Sequence, residues 1–311
     1  MAVQNDLYDA GKSTWWAAIN NFSDWTDDEF ARMRRGVLPA DFSPAPIAST
    51  PSSASNPPAH DWRWAQTPVK DQKSCGSCWA FASTEVLESH AAIAKGNGST
   101  PPVLAPQTLV SCVQNPKHCG GSGGCEGATA ELAFNYSSTR GMAMESDWPY
   151  KARDTPCKTY TAAVVNRGFV KLPRNDASAL ETALATVGPV AVTVAANWMS
   201  YGGGIFSGGC KAPIVWKRDA CNLDHGVVAI GYSRDYWLIR NSWGASWGEG
   251  GYIRLTRKND HVTFVDEDPR EGVACEPWPH YKNDTYKHQY PMGESGVLFD
   301  TAYPTGVKGT M

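Results

Sequence analysis

A change in sequence pattern near Asn166 constrains the fold of this 311-residue chain more than any other feature. Before it, long stretches have the apolar spacing of amphipathic helices. After it come short runs of β-branched and aromatic residues separated by glycine-rich turns, at residues 190–196, 225–232, 236–243 and 251–257. Such runs are typical of antiparallel strands. A helical part followed by a β part predicts an α+β fold.

The composition excludes several classes of protein. Apolar residues make up 42% of the chain and charged residues 19%, which is typical of a globular protein. The formal charge of −3, without a run of Lys or Arg, predicts neither nucleic acid nor a membrane surface as a partner. No apolar stretch reaches the length of a membrane span, and the first residues do not have the pattern of a signal peptide.

A cysteine at the predicted start of a helix is the strongest sign of chemistry. Cys78 lies within P-V-K-D-Q-K-S-C-G-S-C-W-A-F-A-S (68–83) and opens a helical pattern that ends near Gly96. The N-terminus of a helix favours a thiolate over a thiol, which makes a cysteine there nucleophilic. Further helices are predicted after Pro106 and at about 129–139.

A nucleophilic cysteine requires a base and a group that orients the base. Of the seven histidines, His225 is distinctive because it opens an apolar strand, D-H-G-V-V-A-I-G-Y. Asn241 ends the next predicted strand, so antiparallel pairing could bring it beside His225. These residues, together with Cys78, predict a Cys–His–Asn active site.

Two other interpretations of the cysteines compete with this one. Cys75-Gly-Ser-Cys78 has the spacing of a redox-active C-x-x-C pair, but no strand-like pattern precedes Pro68. A zinc site would need a second pair of ligands at short spacing, and His118, Cys119 and Cys125 do not form one. We therefore predict no metal and no cofactor.

The N-terminal region differs in composition from the remainder. Thr26 and Glu29 form a capping box that predicts a short helix through about Arg35. Residues 39–58 are mostly Pro, Ser, Ala and Thr, which predicts an extended linker. Because this linker directly precedes the reactive stretch, the N-terminal part is either an ordinary arm or a detachable segment. Residues 258–294 are polar and predict a long loop insertion.

Three motifs together resemble the papain family of cysteine proteases. They are Q-x-x-x-C-G-S-C-W-A-F from Gln72, L-D-H-G-V at 223–227, and R-N-S-W-G-x-x-W-G-E-x-G-Y at 240–252. The resemblance extends over about 58–306 and implies a two-lobe fold, with a helical left lobe, an antiparallel β-barrel-like right lobe and a cleft between them. Residues 19–30 also resemble part of a cathepsin L-type propeptide, so the chain resembles a truncated proenzyme.

The resemblance assigns a role to each residue of the expected site. It implies that Cys78 is the nucleophile, that His225 is the base and then the acid, and that Asn241 orients His225. Gln72 would share an oxyanion hole with the backbone N–H of Cys78. Trp243 would shield the His225 hydrogen bond from water, and Trp79 is a second supporting residue.

The substrate site implied by the resemblance is a backbone edge beside a side-chain pocket. Gly127 and Ala128 would hold an extended peptide, and Ala128 replaces a glycine of the family pattern. Asp224 is expected to contact substrate as well, and the pocket for the second residue before the scissile bond (S2, for P2) would be formed by Thr129, Ala130, Thr193, Leu223 and Asp300. Asp300 at its floor could accept a basic side chain. Alternatively, it faces solvent or pairs with a nearby base.

Eight of the nine cysteines could pair if Cys78 is the nucleophile. The resemblance implies Cys75–Cys125 and Cys112–Cys157. The family's bridge from Cys210 lacks its partner, because Ser295 stands at that position. Cys119, Cys210, Cys221 and Cys275 therefore allow three pairings, of which we favour Cys210–Cys221 with Cys119–Cys275.

The predicted function is that of a cysteine endopeptidase made as a proenzyme. The alternatives are an inactive binding module of the same family and a thiol–disulfide oxidoreductase. The expected regions are a partial propeptide and linker (1–57), a helical lobe (58–165) and a β lobe (166–311). Expected partners are polypeptide substrates, the chain's own propeptide and cystatin-like inhibitors. The enzyme is expected to be a monomer. The cysteines and four glycosylation sequons, at Asn21, Asn97, Asn135 and Asn283, favour a lysosome-like or secreted destination.

Overall fold

The computed structural model describes residues 1–34, 56–210, 221–266 and 289–310. Six α-helices lie in these ranges: α1 (Ala2–Asp9), α2 (Asp27–Arg34), α3 (Cys78–Lys95), α4 (Pro106–Cys112), α5 (Ala130–Arg140) and α6 (Ala177–Thr186). The strands that the structure describes are β1 (Trp15–Ala17), β2 (His60–Asp61), β3 (Val164–Val165), β4 (Gly168–Lys171), β5 (Val190–Val194), β6 (Tyr201–Phe206), β7 (His225–Tyr232), β8 (Tyr236–Arg240), β9 (Tyr252–Thr256), β10 (Asp300–Thr305) and β11 (Lys308–Gly309).

Most strands join one sheet in the order β1-β6-β9-β8-β7-β5-β10-β4, and β2 pairs with β7 off this path. The pairs are antiparallel except for β6 and β9, which run parallel. Strands β3 and β11 form a separate two-stranded ladder. Within the described residues the sheet has two ends, β1 and β4, so the expected barrel-like lobe is an open sheet.

Helix α3 packs against the centre of this sheet. Its first fifteen residues, Cys78–Ala92, are all buried, and Gly96 caps its C-terminus as the sequence predicts. Apolar side chains of α3 such as Val86 share one core cluster with Val228 and Ile230 of β7 and with Leu238 of β8. This contact fixes the start of α3 relative to the strands that carry His225 and Asn241.

The sequence patterns predicted four of the six helices. The capping box at the start of α2 is present, since Thr26 N–H donates to Glu29 Oε2 at 2.8 Å and Glu29 N–H donates to Thr26 Oγ1 at 3.3 Å. Helix α6 was missed because it lies among strands. Its cap, Asp176, accepts a hydrogen bond from Ala179 N–H at 2.9 Å, and an Asp before an Ala/Leu-rich run is a signal that could have revealed it.

The N-terminal segment, residues 1–34, adds a strand to the sheet. Trp15 and Trp16 of β1 lie opposite Gly204 and Gly203 of β6. A Cβ atom at Gly203 would come within 2.3 Å of the Trp16 indole, and one at Gly204 would come within 2.3 Å of the Thr14 carbonyl oxygen. The glycines of β6 therefore permit the close approach of this segment.

Three predicted disulfides are present: Cys75–Cys125, Cys112–Cys157 and Cys210–Cys221. Cys119 is also disulfide-bonded. Its expected partner, Cys275, lies outside the described residues, as do most of the 39–58 linker and of the 258–294 insertion.

Candidate active site

Cys78 is the first residue of α3 and has no solvent exposure. The backbone N–H groups of Trp79, in the first helical turn, and of Gly226, on β7, favour the ionised form of its sulfur and act to lower its pKa. Because Gly226 directly follows His225, the thiol lies next to the start of the histidine's strand. Pairing of Cys75 with Cys125 removes the partner that a redox-active Cys75–Cys78 pair would need.

His225 and Asn241 are joined by a hydrogen bond of 2.8 Å between Nε2 and Oδ1, and both residues are fully buried. Strands β7 and β8 pair antiparallel, which brings the start of one beside the end of the other. The ring of Trp243 lies 4.8 Å from the imidazole ring and is itself fully buried. The histidine is thus held by an amide oxygen in surroundings that exclude water.

Gln72 is fully buried between two segments of the chain. Its Oε1 accepts a hydrogen bond from Ser242 Oγ at 2.7 Å, and its backbone N–H donates to the Ser242 carbonyl at 2.9 Å. The amide Nε2 donates to the carbonyls of Cys75 and of Met33, each at 3.1 Å. Ser242 fixes the orientation of the side-chain amide, and Nε2 contacts a carbonyl of the N-terminal segment.

Apolar side chains of the N-terminal segment cover the site. Phe22 and Phe30 pack edge-on against Trp243, with ring centroids 5.3 and 5.1 Å away. Phe22, Phe30 and Met33 are at most 3% exposed and belong to the same core cluster as Trp243. The complete burial of Cys78 and His225 is therefore a property of the chain with this segment in place.

Burial also determines the electrostatics of the thiol. Desolvation raises the pKa of Cys78 to about 12, and the charge of Asp224 adds to the effect, whereas the backbone hydrogen bonds act in the opposite direction. In this covered form, burial favours the neutral thiol over the thiolate. The helix N-terminus can favour a thiolate only once water and substrate reach the site.

A narrow cavity beside Trp79 corresponds to part of the predicted S2 pocket. It is lined by Trp79, Ala82, Ala130, Glu131, Ala191, Val192, Thr193, Gly226, Asp300 and Ala302. Asp300 is 6% exposed, and Lys171 Nζ lies 2.8 Å from its Oδ1. Of the two alternatives for Asp300, the structure thus shows a pair with a nearby base.

The other predicted substrate-binding residues do not line this cavity. Gly127, Ala128 and Thr129 are buried at the start of α5, where Thr129 Oγ1 caps the helix by accepting from Leu132 N–H at 3.4 Å. Leu223 packs in a separate cluster with Cys210 and Cys221. Asp224 Oδ1 accepts a hydrogen bond from Ala196 N–H at 3.1 Å.

Sequence reasoning missed several residues of the site. One is Met33, whose carbonyl accepts a hydrogen bond from Gln72, and others are the glycines of β6, which lie opposite β1. Both contacts join residues that are far apart in the sequence. The run Y-G-G-G-I-F at 201–206 was nevertheless a usable signal, because three glycines inside a strand indicate close approach of another backbone. Glu131 and Lys171, which surround Asp300, were also missed.

The described ranges lack two kinds of feature. None of their helices combines the length and apolar composition needed to cross a bilayer. They also contain no group of three or more His, Cys, Asp and Glu residues arranged to hold a metal ion.

Comparison with known proteins identifies the class. A family profile described as "Papain family cysteine protease" matches residues 56–270. A cathepsin L-like proteinase of Phaedon cochleariae is 37% identical over 280 residues, covering 86% of this chain and 81% of the relative. Digestive cysteine proteinase 1 of Homarus americanus is 35% identical over 288 residues, covering 88% and 83%. The protein is therefore a cysteine protease.

Solved structures agree with this class. Digestive procathepsin L 3 from the larval midgut of Tenebrio molitor aligns with a TM-score of 0.74 at 28% identity, covering 98% of this chain and 87% of the other. Digestive procathepsin L2 of the same organism gives 0.76 at 28% identity, covering 98% and 88%. The chain belongs to the papain family of cysteine proteases, has the papain-like fold and is similar to proenzymes of the cathepsin L type.

Proposed function

We propose that the chain is the proenzyme of an endopeptidase in which Cys78 is the nucleophile. The observation that carries this assignment is the 2.8 Å hydrogen bond between His225 Nε2 and Asn241 Oδ1, on strands beside the start of α3. This bond fixes the imidazole, so Nδ1 is the ring nitrogen that we assign to proton exchange with the sulfur. Trp243 keeps water from the bond, and Trp79 forms a wall of the adjoining cavity.

Peptide hydrolysis would proceed through a thioester. The Cys78 thiolate attacks the scissile carbonyl carbon, and the resulting oxyanion is held by Gln72 Nε2–H and the Cys78 backbone N–H. The C–N bond then breaks as the His225 imidazolium protonates the leaving amine. Water, deprotonated by His225, attacks the thioester, releases the acid product and restores the thiolate–imidazolium pair.

Residues 1–57 would be the propeptide, followed by a helical lobe at 58–165 and a β lobe at 166–311. Phe22, Phe30 and Met33 cover the site, and the Met33 carbonyl accepts the hydrogen bond that Gln72 would give to an oxyanion. Cutting within 39–58 would uncover Cys78. The 39–58 cut site lies mainly outside the described residues, so this step rests on the contacts of residues 1–34.

The surroundings of the enzyme are part of the same proposal. Disulfides favour an oxidising compartment, and one relative is by its name a digestive proteinase, so we propose a lysosome-like or secreted destination. We also propose that the four sequons are glycosylated, that cystatin-like inhibitors bind the cleft, and that the enzyme is a monomer. Gly127 and Ala128 would bind substrate backbone, with Thr129, Thr193, Leu223 and Asp224 around the P2 side chain.

The test is substitution of Gln72 in enzyme activated from the full chain at mildly acidic pH. Gln72→Ala should lower kcat by about a hundredfold, because one of two oxyanion donors is lost. Labelling of Cys78 by a thiol-directed peptide epoxide should survive, since it does not need that donor. Unchanged turnover would remove Gln72 from the mechanism, and a wild-type enzyme whose Cys78 is not labelled would refute the whole assignment.

A further inference from the structure

Three charged side chains form a cluster beside the cavity, which we call the Lys171 cluster: Lys171, Glu131 and Asp300. Lys171 Nζ lies 2.5 Å from Glu131 Oε1 and 2.8 Å from Asp300 Oδ1. Glu131 and Asp300 line the cavity. Lys171 ends β4, which pairs with β10 so that Lys171 lies opposite Ala302, two residues from Asp300. Pairing of these strands therefore places one ammonium group between two carboxyl groups.

Asp300 is fully engaged within this cluster. Its Oδ1 accepts from Lys171 Nζ, and its Oδ2 accepts from Thr193 Oγ1 at 2.9 Å. The side chains of Lys171 and Asp300 are only 11% and 7% exposed, so the pair is screened little by water. A basic substrate side chain would have to displace or share donors that are already in place.

Glu131 differs from Asp300 because one of its two carboxyl oxygens has no hydrogen-bond donor among the described residues. Its Oε1 contacts Lys171, whereas its Oε2 is buried and accepts no hydrogen bond from any described residue. Burial, followed by the charge of Asp300, raises the pKa of Glu131. Burying an ionised carboxylate oxygen that accepts no hydrogen bond costs free energy, so these surroundings favour the protonated, neutral form of Glu131. With Glu131 protonated, the ammonium of Lys171 and the carboxylate of Asp300 are the two charges that remain, and they cancel.

We propose that Lys171 determines the P2 specificity of this enzyme, by neutralising the S2 floor so that apolar P2 side chains are preferred to basic ones. The inference rests on the proposed function, because the cavity is an S2 pocket only if Cys78 is the nucleophile. The remaining walls suit such a side chain, since they include Ala82, Ala130, Ala191, Val192 and Ala302. Lys171 acts through Glu131 and Asp300 and is therefore a positioning residue. The sequence alone had suggested that Asp300 could accept a basic side chain.

The experiment compares two fluorogenic peptides that differ only at P2, where one has Leu and the other Arg. The full chain is activated at mildly acidic pH, its active sites are titrated through Cys78, and kcat/KM is measured for both peptides. Wild type is compared with Lys171→Met, which removes the charge, and with Lys171→Arg, which retains it. Lys308→Met serves as the matched control, because Lys308 is exposed on β11.

Wild type should prefer Leu, and Lys171→Met should raise the Arg:Leu ratio by about tenfold to a hundredfold, because it leaves an uncompensated carboxylate in the pocket. Most of the change should appear in KM for the Arg peptide. Lys171→Arg and Lys308→Met should keep the wild-type ratio within about threefold. A wild type that prefers Arg, or a Lys171→Met enzyme with an unchanged ratio, overturns the proposal.

Asp300→Asn provides a second test that does not depend on the folding of Lys171→Met. With Asp300 neutral, its charge no longer opposes ionisation of Glu131, so the Glu131 carboxylate balances Lys171 and the Arg:Leu ratio should change by less than about threefold. A fall of more than about tenfold would show that Asp300 itself recognises arginine and would refute the proposal. In every case normal labelling of Cys78 separates failure of this inference from failure of the proposed catalytic site.

Discussion

Two buried clusters of ion pairs differ in how their charges balance. The first, which we call the Arg240 cluster, contains Arg240, Glu85, Thr67, Glu88 and Lys70. Arg240 Nη2 lies 3.0 Å from Glu85 Oε1, and Lys70 Nζ lies 2.8 Å from Glu88 Oε1. Thr67 Oγ1 accepts from Arg240 Nη2 at 3.2 Å and donates to Glu88 Oε2 at 2.5 Å. Here two cations meet two carboxyl groups.

The Lys171 cluster has one cation for two carboxyl groups and borders a cavity. The Arg240 cluster instead joins protein segments: Arg240 ends β8 beside Asn241, and its guanidinium also donates to the carbonyls of Thr67 and Pro68 at 2.9 and 3.0 Å. Balanced charges between segments stabilise an arrangement of the chain. The Lys171 cluster has one carboxyl group more than it has cations, so that group must be protonated for the cluster to be neutral. The charge of the cluster can therefore influence which side chains enter the cavity.

Loss of the Arg240 guanidinium should have the largest effect on stability. Above about pH 7, where Glu85 is ionised, Arg240→Met leaves its carboxylate buried without its cation, which should lower the free energy of unfolding by about 3–5 kcal/mol. Urea unfolding of the full chain in a Cys78→Ala background measures it without self-digestion. Arg254→Met is the matched control, because its pair with Glu249 is 29% and 25% exposed, and it should cost at most about 1 kcal/mol. Equal losses of unfolding free energy in the two variants would show that the Arg240 cluster stabilises the fold no more than a surface ion pair does.

The pH dependence of stability should depend on Glu85. Burial raises the pKa of Glu85 to about 7 from its ordinary 4.5, against the opposing charges of Arg240 and Lys70. The folded protein thus binds this proton more tightly than the unfolded chain. The resulting stability is complete below about pH 4.5 and is lost as the pH rises through about 7, and it amounts to about 3 kcal/mol.

Glu85→Gln should therefore flatten the pH dependence of unfolding between about pH 5 and about pH 8. Unfolding in urea at the two pH values, again in the Cys78→Ala background, gives the difference directly. Glu126→Gln, at an exposed position, is the control and should keep the wild-type slope. If Glu85→Gln also retains the wild-type pH dependence of unfolding, a group other than Glu85 binds the proton that causes it.

The smallest effect is expected for Glu131→Gln. If Glu131 is already neutral, the amide replaces a group of the same shape and charge. The free energy of unfolding should then change by less than about 1 kcal/mol and the Arg:Leu ratio at P2 by less than about threefold. A tenfold drop in that ratio would mean that Glu131 is ionised, and the two clusters would differ less than we infer.

Most residues of the proposed site were predicted from local sequence patterns. Cys78 was predicted from a helix start, and His225 and Asn241 from the ends of two strands that neighbour each other in the chain. Gln72 came from the family resemblance. Each of these signals lies within about ten residues of the group it identifies, which is the range over which helix and strand periodicity acts.

Long-range contacts were beyond such reasoning. Lys171 and Asp300 are 129 residues apart and meet only because β4 pairs with β10. Helix α6 was hidden among strands, and the pairing of β1 with β6 joins residues near Trp15 to residues near Gly204. A single sequence does not show which strand pairs with which edge of a sheet, so the charges beside the cavity could be identified only from the structure.

The glycines of β6 also matter after activation. While β1 is bound, its short strand forms the rim of the sheet and β6 is an interior member. Release of the propeptide would leave β6 as an edge with unpaired backbone groups, a template for self-association. Gly202–Gly204 offer no side chains there that an added strand could pack against. The same three residues that admit the N-terminal segment would thus give a self-associating strand little beyond backbone hydrogen bonds.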